Sequence, residues 1–282
     1  LSISFRYSIS SSKYLLAFDG GDVHNVQITG NDIEGAGSEH LLYFKAANSG
    51  EQISQVQVTG NSLEDHSANT KELIYLEGNV ATNILGYEFT GNEISGSDKS
   101  AFHLRNTRSV NISDNSFINI GGSALHLSGT NSSTVLADNT GYVTSGRQNK
   151  SLITSNLLAQ NGLNVSGNTI DGLTEEAIVL RGDGSPALYD ISIGDNNLVS
   201  IVGNQEVTTF IDIYARTVVG LKILGNGLRV RDNHQSGIKV RWGGGGVSHM
   251  IVKDNYIRGI SGNGKYDIPE NQQASVVVKD NV

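Results

Sequence analysis

Seven short segments carry the chemically richest face of this 282-residue chain: LLYFK (41–45), LIYLE (73–77), AFHLR (101–105), ALHLS (124–128), AIVLR (177–181), FIDIY (210–214) and GIKVR (237–241). In each, apolar residues hold the second and fourth places, the period of a strand, so the third and fifth places share the opposite face. That face reads Tyr43 and Lys45, Tyr75 and Glu77, His103 and Arg105, His126 and Ser128, Val179 and Arg181, Asp212 and Tyr214, Lys239 and Arg241, with Trp242 directly after. Tyr, His and Arg are residues that stack on sugar rings and grip carboxylates. If the segments lie side by side at strand spacing, two clusters form. In the first, His103, Arg105, His126, Tyr75 and Glu77 share ~10 Å of surface. Removing a proton beside a carboxylate needs a base poised near neutral pH and a cation on the carboxylate. His103 or His126 fits the base and Arg105 the cation. The second cluster joins Arg181, Asp212, Lys239 and Arg241 with Tyr214 and Trp242. If this is the centre, Lys239 is the base and Arg241 the neutralising cation. Hydrolysis of a glycosidic bond would instead need two carboxylates, ~5 to 5.5 Å apart for retention or ~6.5 to 9.5 Å for inversion, and Asp183 with Asp212 is the pair that can be placed. The plain alternative is a solvated face on which His103 and His126 merely stack.

The elements that would position these residues are visible as a repeat. VQITGNDIEG (26–35) returns as VQVTGNSLED (56–65), YEFTGNEISG (87–96), VNISDNSFIN (110–119), LNVSGNTIDG (163–172), ISIGDNNLVS (191–200) and MIVKDNYIRG (250–259). The aligned asparagines are Asn31, Asn61, Asn92, Asn115, Asn139, Asn168, Asn196, Asn226, Asn255 and Asn281, spaced 23 to 31 residues apart. Apolar residues alternate on both sides of the Gly-Asn or Asp-Asn corner, as in Val56, Val58 and Leu63. Asn suits such a corner by tolerating left-handed backbone and bonding its neighbours through its side chain. Three short strands per repeat, stacked in parallel, predict an all-β solenoid of about nine to ten coils with an asparagine ladder. Residues 139–162 fit the repeat worst, and there Arg147 and Lys150 are expected on an inserted loop over the site.

Composition narrows the function. The net charge is −8 and only 17% of residues are charged, which argues against a phosphate-binding surface and so against nucleic acid. No run approaches the ~20 apolar residues of a membrane helix. The absence of Cys excludes disulfides, thiolate zinc sites and a cysteine nucleophile. Gly (34) and Asn (28) are abundant while Pro is 2, a turn-rich chain without a proline-rich tract. No cofactor is implied. Calcium is weakly indicated, because Asp195, Asp254 and Asp280, just before the corner asparagines, read as turn formers.

The repeat resembles the right-handed parallel β-helix of the pectate-lyase-like superfamily, over residues 15 to 282. In that family the same strand face lines the groove that binds polysaccharide. GIKVRWGGGG (237–246) is similar to the polygalacturonase strand that carries an Arg and a Lys for the substrate carboxylate, followed by Trp and a Gly-rich loop, although here Lys239 precedes Arg241. The family's paired-aspartate and His-Gly motifs are missing from the preceding coils. The resemblance therefore implies a carbohydrate-active enzyme cleaving an acidic polysaccharide, by β-elimination rather than hydrolysis. Arg181, Lys239 and Arg241 would bind further sugar units, with Tyr75, Tyr214 and Trp242 as stacking platforms. The alternatives are a tailspike-like glycoside hydrolase using paired carboxylates and a glycan-binding or structural β-helix without catalysis. Phage tailspikes share this composition, so a homotrimer and an extracellular, cell-surface or virion-borne location are expected. The whole chain reads as one β-helix domain, its last coil unfinished, within a longer protein.

Overall fold

A computed structural model describes residues 2–3, 9–10, 14–36, 40–48, 50–65, 71–79, 84–143, 150–182, 186–200, 209–234, 236–260, 266–268 and 276–278. Every strand pairing among them is parallel, in one 19-stranded and one 10-stranded sheet. The chain is a parallel β-solenoid with three strand faces. The site face carries the seven segments above and the second face runs up to the asparagine corner. Long strands such as Ser123–Ala137 and Thr209–Val219 bend from the first onto the second and join both into the larger sheet. The third face, after the corner, is the 10-stranded sheet.

Alternation dictates the core. Leu42, Ile74, Phe102, Leu125, Ile153, Ile178, Ile211 and Ile238 pair in register from coil to coil, and all are fully buried. Because the side-chain period is two, fixing this column inward fixes the functional residues outward. Inside the coils Phe102 meets Phe89 and Phe117 edge-on, with ring centroids 4.9 and 6.2 Å away.

The ladder is built as expected, with one change in its cause. The left-handed residue at each corner is the one before the asparagine: Gly30, Gly60, Gly91, Asp114, Asp138, Gly167, Asp195, Gly225 and Asp254 have φ between 55° and 67°. Asp195 and Asp254 thus form turns, and the asparagines are free to serve the stack. Each buried amide donates to the next, from Asn31 to Asn61 and on to Asn255, at 2.8 to 3.0 Å. Asn281 and Asp280 lie outside the described residues. At Asn139 the carbonyl accepts from Asn115 N and Nδ2, and the amide donates to Asn168 Oδ1 and Ile112 O. Asn139→Ala would leave several buried groups unpaired, so denaturant unfolding is expected to show a loss of about 2–3 kcal/mol. A loss within experimental scatter would mean that the ladder is not a stabilising element.

In the segment that fits the repeat least by sequence, residues 150–162 continue the solenoid. The strand Ser151–Ser166 pairs along nearly its whole length with Ser123–Ala137 and places Thr154 and Asn156 on the site face. Arg147 lies outside the described residues. Lys150 is exposed and meets Glu175 at 3.2 Å.

Candidate functional site

The outward side chains of the site face form two columns. The first runs Tyr43, Tyr75, His103, His126 and Thr154, then Val179, Asp212, Lys239 and Asp267. The second contains Lys45, Glu77, Arg105, Ser128 and Asn156, and further along Tyr214 and Arg241. The expected neighbourhood of His103, His126, Tyr75, Glu77 and Arg105 is therefore present. Three coils separate His126 from Asp212, so the two clusters lie ~15 Å apart along the face.

The first cluster is a stack of rings. Tyr43 lies over Tyr75 at 5.6 Å, Tyr75 meets His103 edge-on at 4.9 Å, and His103 meets His126 edge-on at 4.6 Å. Tyr43 is consequently only 7% exposed although it points away from the core, because His40 and Tyr75 cover it. Glu72 was not foreseen. Its Oε1 faces His103 Nδ1 at 3.4 Å, within ion-pair reach but longer than a well-formed hydrogen bond, and the buried Nδ1 has no hydrogen-bond partner. His40 Nδ1 donates to the Glu72 main-chain carbonyl at 2.6 Å, which anchors the main chain there. On the other side, His103 Nε2 lies 2.7 Å from Ser128 Oγ, while His126 Nδ1 lies 3.0 Å from Thr154 Oγ1.

Around Glu77, Arg105 Nη1 lies at 3.0 Å, Lys45 Nζ at 3.7 Å, and Tyr75 donates its O–H at 3.2 Å. Two cations thus face the Glu77 carboxylate, with Asp19 in register beside Lys45 and the Glu72 carboxylate at His103, so charges of both signs alternate here. Burial first, and the Glu77 charge second, push the Tyr75 phenol up to about 12, so it stays protonated. Burial opposes ionisation of Glu72, but the neighbouring His103, with a smaller contribution from His40, outweighs it and holds the carboxyl at about 2. His126 is pushed down to about 4, first by burial and then by the neighbouring His103.

These shifts set an acid dependence of stability. His126 favours its neutral form in the fold, so its contribution is complete above its unshifted 6.5 and is lost as pH falls through about 4. Glu72 contributes fully above 4.5 and loses its share as pH falls through about 2. Stability should therefore decline steadily from pH 6.5 downward, and His126→Gln should flatten the upper part of that decline in denaturant titrations. An unchanged slope in the variant would remove His126 from the account.

In the second cluster Asp212 is outward-facing but only 5% exposed, clamped by Arg181 at 3.6 Å and Arg241 at 3.4 Å. Arg241 also lies 5.5 Å over the exposed Tyr214 ring. Lys239 is turned to Asp267 at 2.9 Å instead of Asp212. Again two guanidinium groups face one carboxylate. Trp242 pairs with the buried Ala215 and packs against the core while staying partly exposed. Alternation explains this, since Ile238, Val240 and Trp242 have the same parity. Asp183 lies outside the described residues. Among the described residues no group of three or more His, Asp or Glu is arranged to hold a metal ion.

Fold and face together define a parallel β-solenoid with an aromatic and cationic strip along one side. No protein-family model matches the chain, and no curated protein sequence does. Among solved structures it is similar to an alginate lyase from Paenibacillus sp. str. FPU-7, at 16% identity over 88% of this chain and 93% of that one, with a TM-score of 0.42. It is also similar to the catalytic domain of a GH87 alpha-1,3-glucanase in complex with nigerose, at 14% identity over 94% of this chain and 64% of that one, with a TM-score of 0.26.

Proposed function

We propose that the site face is the glycan cleft of a carbohydrate-active enzyme that cleaves an acidic polysaccharide by β-elimination, acting outside the cell or on a virion. One observation carries this reading. In a chain of net charge −8, cations gather in two groups along one strip, Lys45 with Arg105 and Arg181 with Arg241, each beside an aromatic ring, and the His103 imidazole adjoins the first. A chain of uronate units would lay its carboxylates on the Lys45–Arg105 and Arg181–Arg241 groups and a ring face on the exposed Tyr214.

His103 is the base in this scheme. Its Nδ1 side faces a carboxylate, so the proton resides there and Nε2 is left as the acceptor. It takes the proton beside the substrate carboxyl, Arg105 and Lys45 stabilise the charge that develops there, and the glycosidic oxygen leaves as a double bond forms. His126, held at about 4, is neutral but a weak base near neutral pH. Hydrolysis has less support, because Asp212 is buried under two arginines and poorly placed to reach a sugar. The test is incubation with a panel of uronate polysaccharides, following near-ultraviolet absorbance of unsaturated product beside reducing ends. Both signals rising supports elimination. Reducing ends without absorbance would transfer the reading to hydrolysis, and glycan binding without either signal would make the face a binding surface.

A further inference from the structure

Ser128 is a nucleophile that elimination does not use. We propose that Ser128, His103 and Glu72 form a nucleophilic triad that hydrolyses an O-acyl ester on the glycan held by this face. The proposal rests on the glycan cleft assigned above but asks of it a second reaction, at an acyl substituent instead of the glycosidic bond.

The geometry has three parts. Ser128 Oγ lies 2.7 Å from His103 Nε2, and Glu72 Oε1 lies 3.4 Å from His103 Nδ1. A carboxylate only accepts, so Nδ1 carries the hydrogen and Nε2 accepts the serine proton, the protonation pattern a serine nucleophile requires. The buried Nδ1 is otherwise unpaired, and a long contact of this kind can shorten when substrate closes the site. His126 and Thr154 make a useful contrast. There the hydroxyl is shared with Ser123 at 2.8 Å, and His126 Nδ1, the nitrogen that would face a carboxylate, faces that hydroxyl instead.

The backbone also presents Ser128. It is the last outward residue before Gly129, whose φ is +65°, and the strand shifts register between Gly129 and Thr130. A side chain at Gly129 would collide with Asn106 Oδ1, which accepts the Thr130 N–H at 3.0 Å. A bulge of this kind re-aims the residue beside it. In its column Ser128 stands between Arg105, whose guanidinium is bonded to Glu77, and Asn156, so the donors an oxyanion there would draw on are the Asn156 amide and an Arg105 released from Glu77. A depression of about 280 Å³ lined by Lys45, Glu77, Arg105 and Asn106 adjoins it and gives room for a sugar unit.

The reaction balances without another reagent. Ser128 Oγ adds to the ester carbonyl as its proton passes to His103 Nε2. Collapse breaks the bond to the sugar oxygen, which takes that proton and leaves as an alcohol. Water then gives a proton to His103, its oxygen adds to the acyl carbonyl, and collapse returns the proton to Ser128 and releases the carboxylic acid. Glu72 touches no substrate and acts as a positioning residue on His103.

The test uses p-nitrophenyl acetate, chemically O-acetylated polygalacturonate and a fluorophosphonate label. Wild-type protein should release acetate from both esters and carry the label on Ser128 by peptide mass spectrometry. Ser128→Ala should lose ester hydrolysis by ~10³-fold or more with unchanged circular dichroism. Glu72→Gln should lower kcat and displace the pH profile with KM little changed, which a purely structural residue would not do. Ester hydrolysis that survives Ser128→Ala, or wild-type protein with neither acetate release nor label, overturns the proposal. The two readings of the cleft separate cleanly. Hydrolysis through Ser128 without unsaturated product would sustain the triad and remove elimination, whereas unsaturated product without acetate or label would do the reverse.

Discussion

Replacing His103 with alanine is expected to slow release of unsaturated product by ~10²–10⁴-fold, the usual contribution of a positioned base. The loss should fall on kcat. The charge patches that would hold the substrate, Lys45 with Arg105 and Arg181 with Arg241, make their ion pairs with Glu77 and Asp212 and do not depend on the imidazole. His103 sits between the Tyr75 and His126 rings on an outward column, so its removal opens no core cavity, but Glu72 loses the partner that favours its ionised form, and a modest fall in melting temperature should accompany the loss of rate. The companion variant His126→Ala is the control. That imidazole lies one coil away, and its depressed basicity predicts a smaller effect. Initial rates of the two variants on whichever uronate chain responds would decide the matter. If His126→Ala abolishes turnover while His103→Ala retains it, the base has been assigned to the wrong ring.

Phe102→Ala is the change with the largest expected effect on stability. Phe102 is fully buried, precedes His103 in the strand Phe102–Arg105, and packs edge-on against Phe89 and Phe117. Truncating a buried Phe costs about 3–5 kcal/mol, because apolar transfer energy is lost and the cavity collapses only in part. Coils above and below limit collapse here, since each is held in register by its own main-chain ladder. The same strand carries His103 and Arg105, and a misplacement near 1 Å can lower turnover ~10²-fold, so activity should fall even where the variant remains folded. Phe102→Leu should lose much less than Phe102→Ala, since it keeps the site filled with an apolar side chain. A shift in the denaturant midpoint at constant slope would measure both. A Phe102→Ala variant within 1 kcal/mol of wild type would show that the core repacks far more freely than its stacked geometry implies.

Much of the solenoid can be read along the chain. The repeated asparagine locates the corners, and alternation correctly sends Leu42, Ile74, Phe102, Leu125, Ile178, Ile211 and Ile238 inward and places Tyr75, His103 and His126 in one column. Parity also turns Trp242 toward the core, against which it packs while staying partly exposed. Residues 151–156 broke the pattern for a definable reason. Ser155 occupies the position in register with the buried Leu127, and its hydroxyl exchanges hydrogen bonds with the main chain of Arg181 at 2.8 and 2.9 Å. A polar residue at an apolar position was satisfied by a partner 26 residues away, which no local pattern reveals.

The candidate site divides along the same line. Which residues share a face follows from a period of two and a repeat of one coil, and both are properties of covalent order. Which of them touch does not. Glu72 precedes its alternating segment and reaches His103 across a coil boundary, Lys239 turns to Asp267 instead of Asp212, and Ser128 meets His103 diagonally because the strand bends after it. These contacts depend on rotamers, on the bulge at Gly129 and on the burial that stacking creates. Side-chain chemistry acts over about 3 Å, a distance that only the closed coils fix.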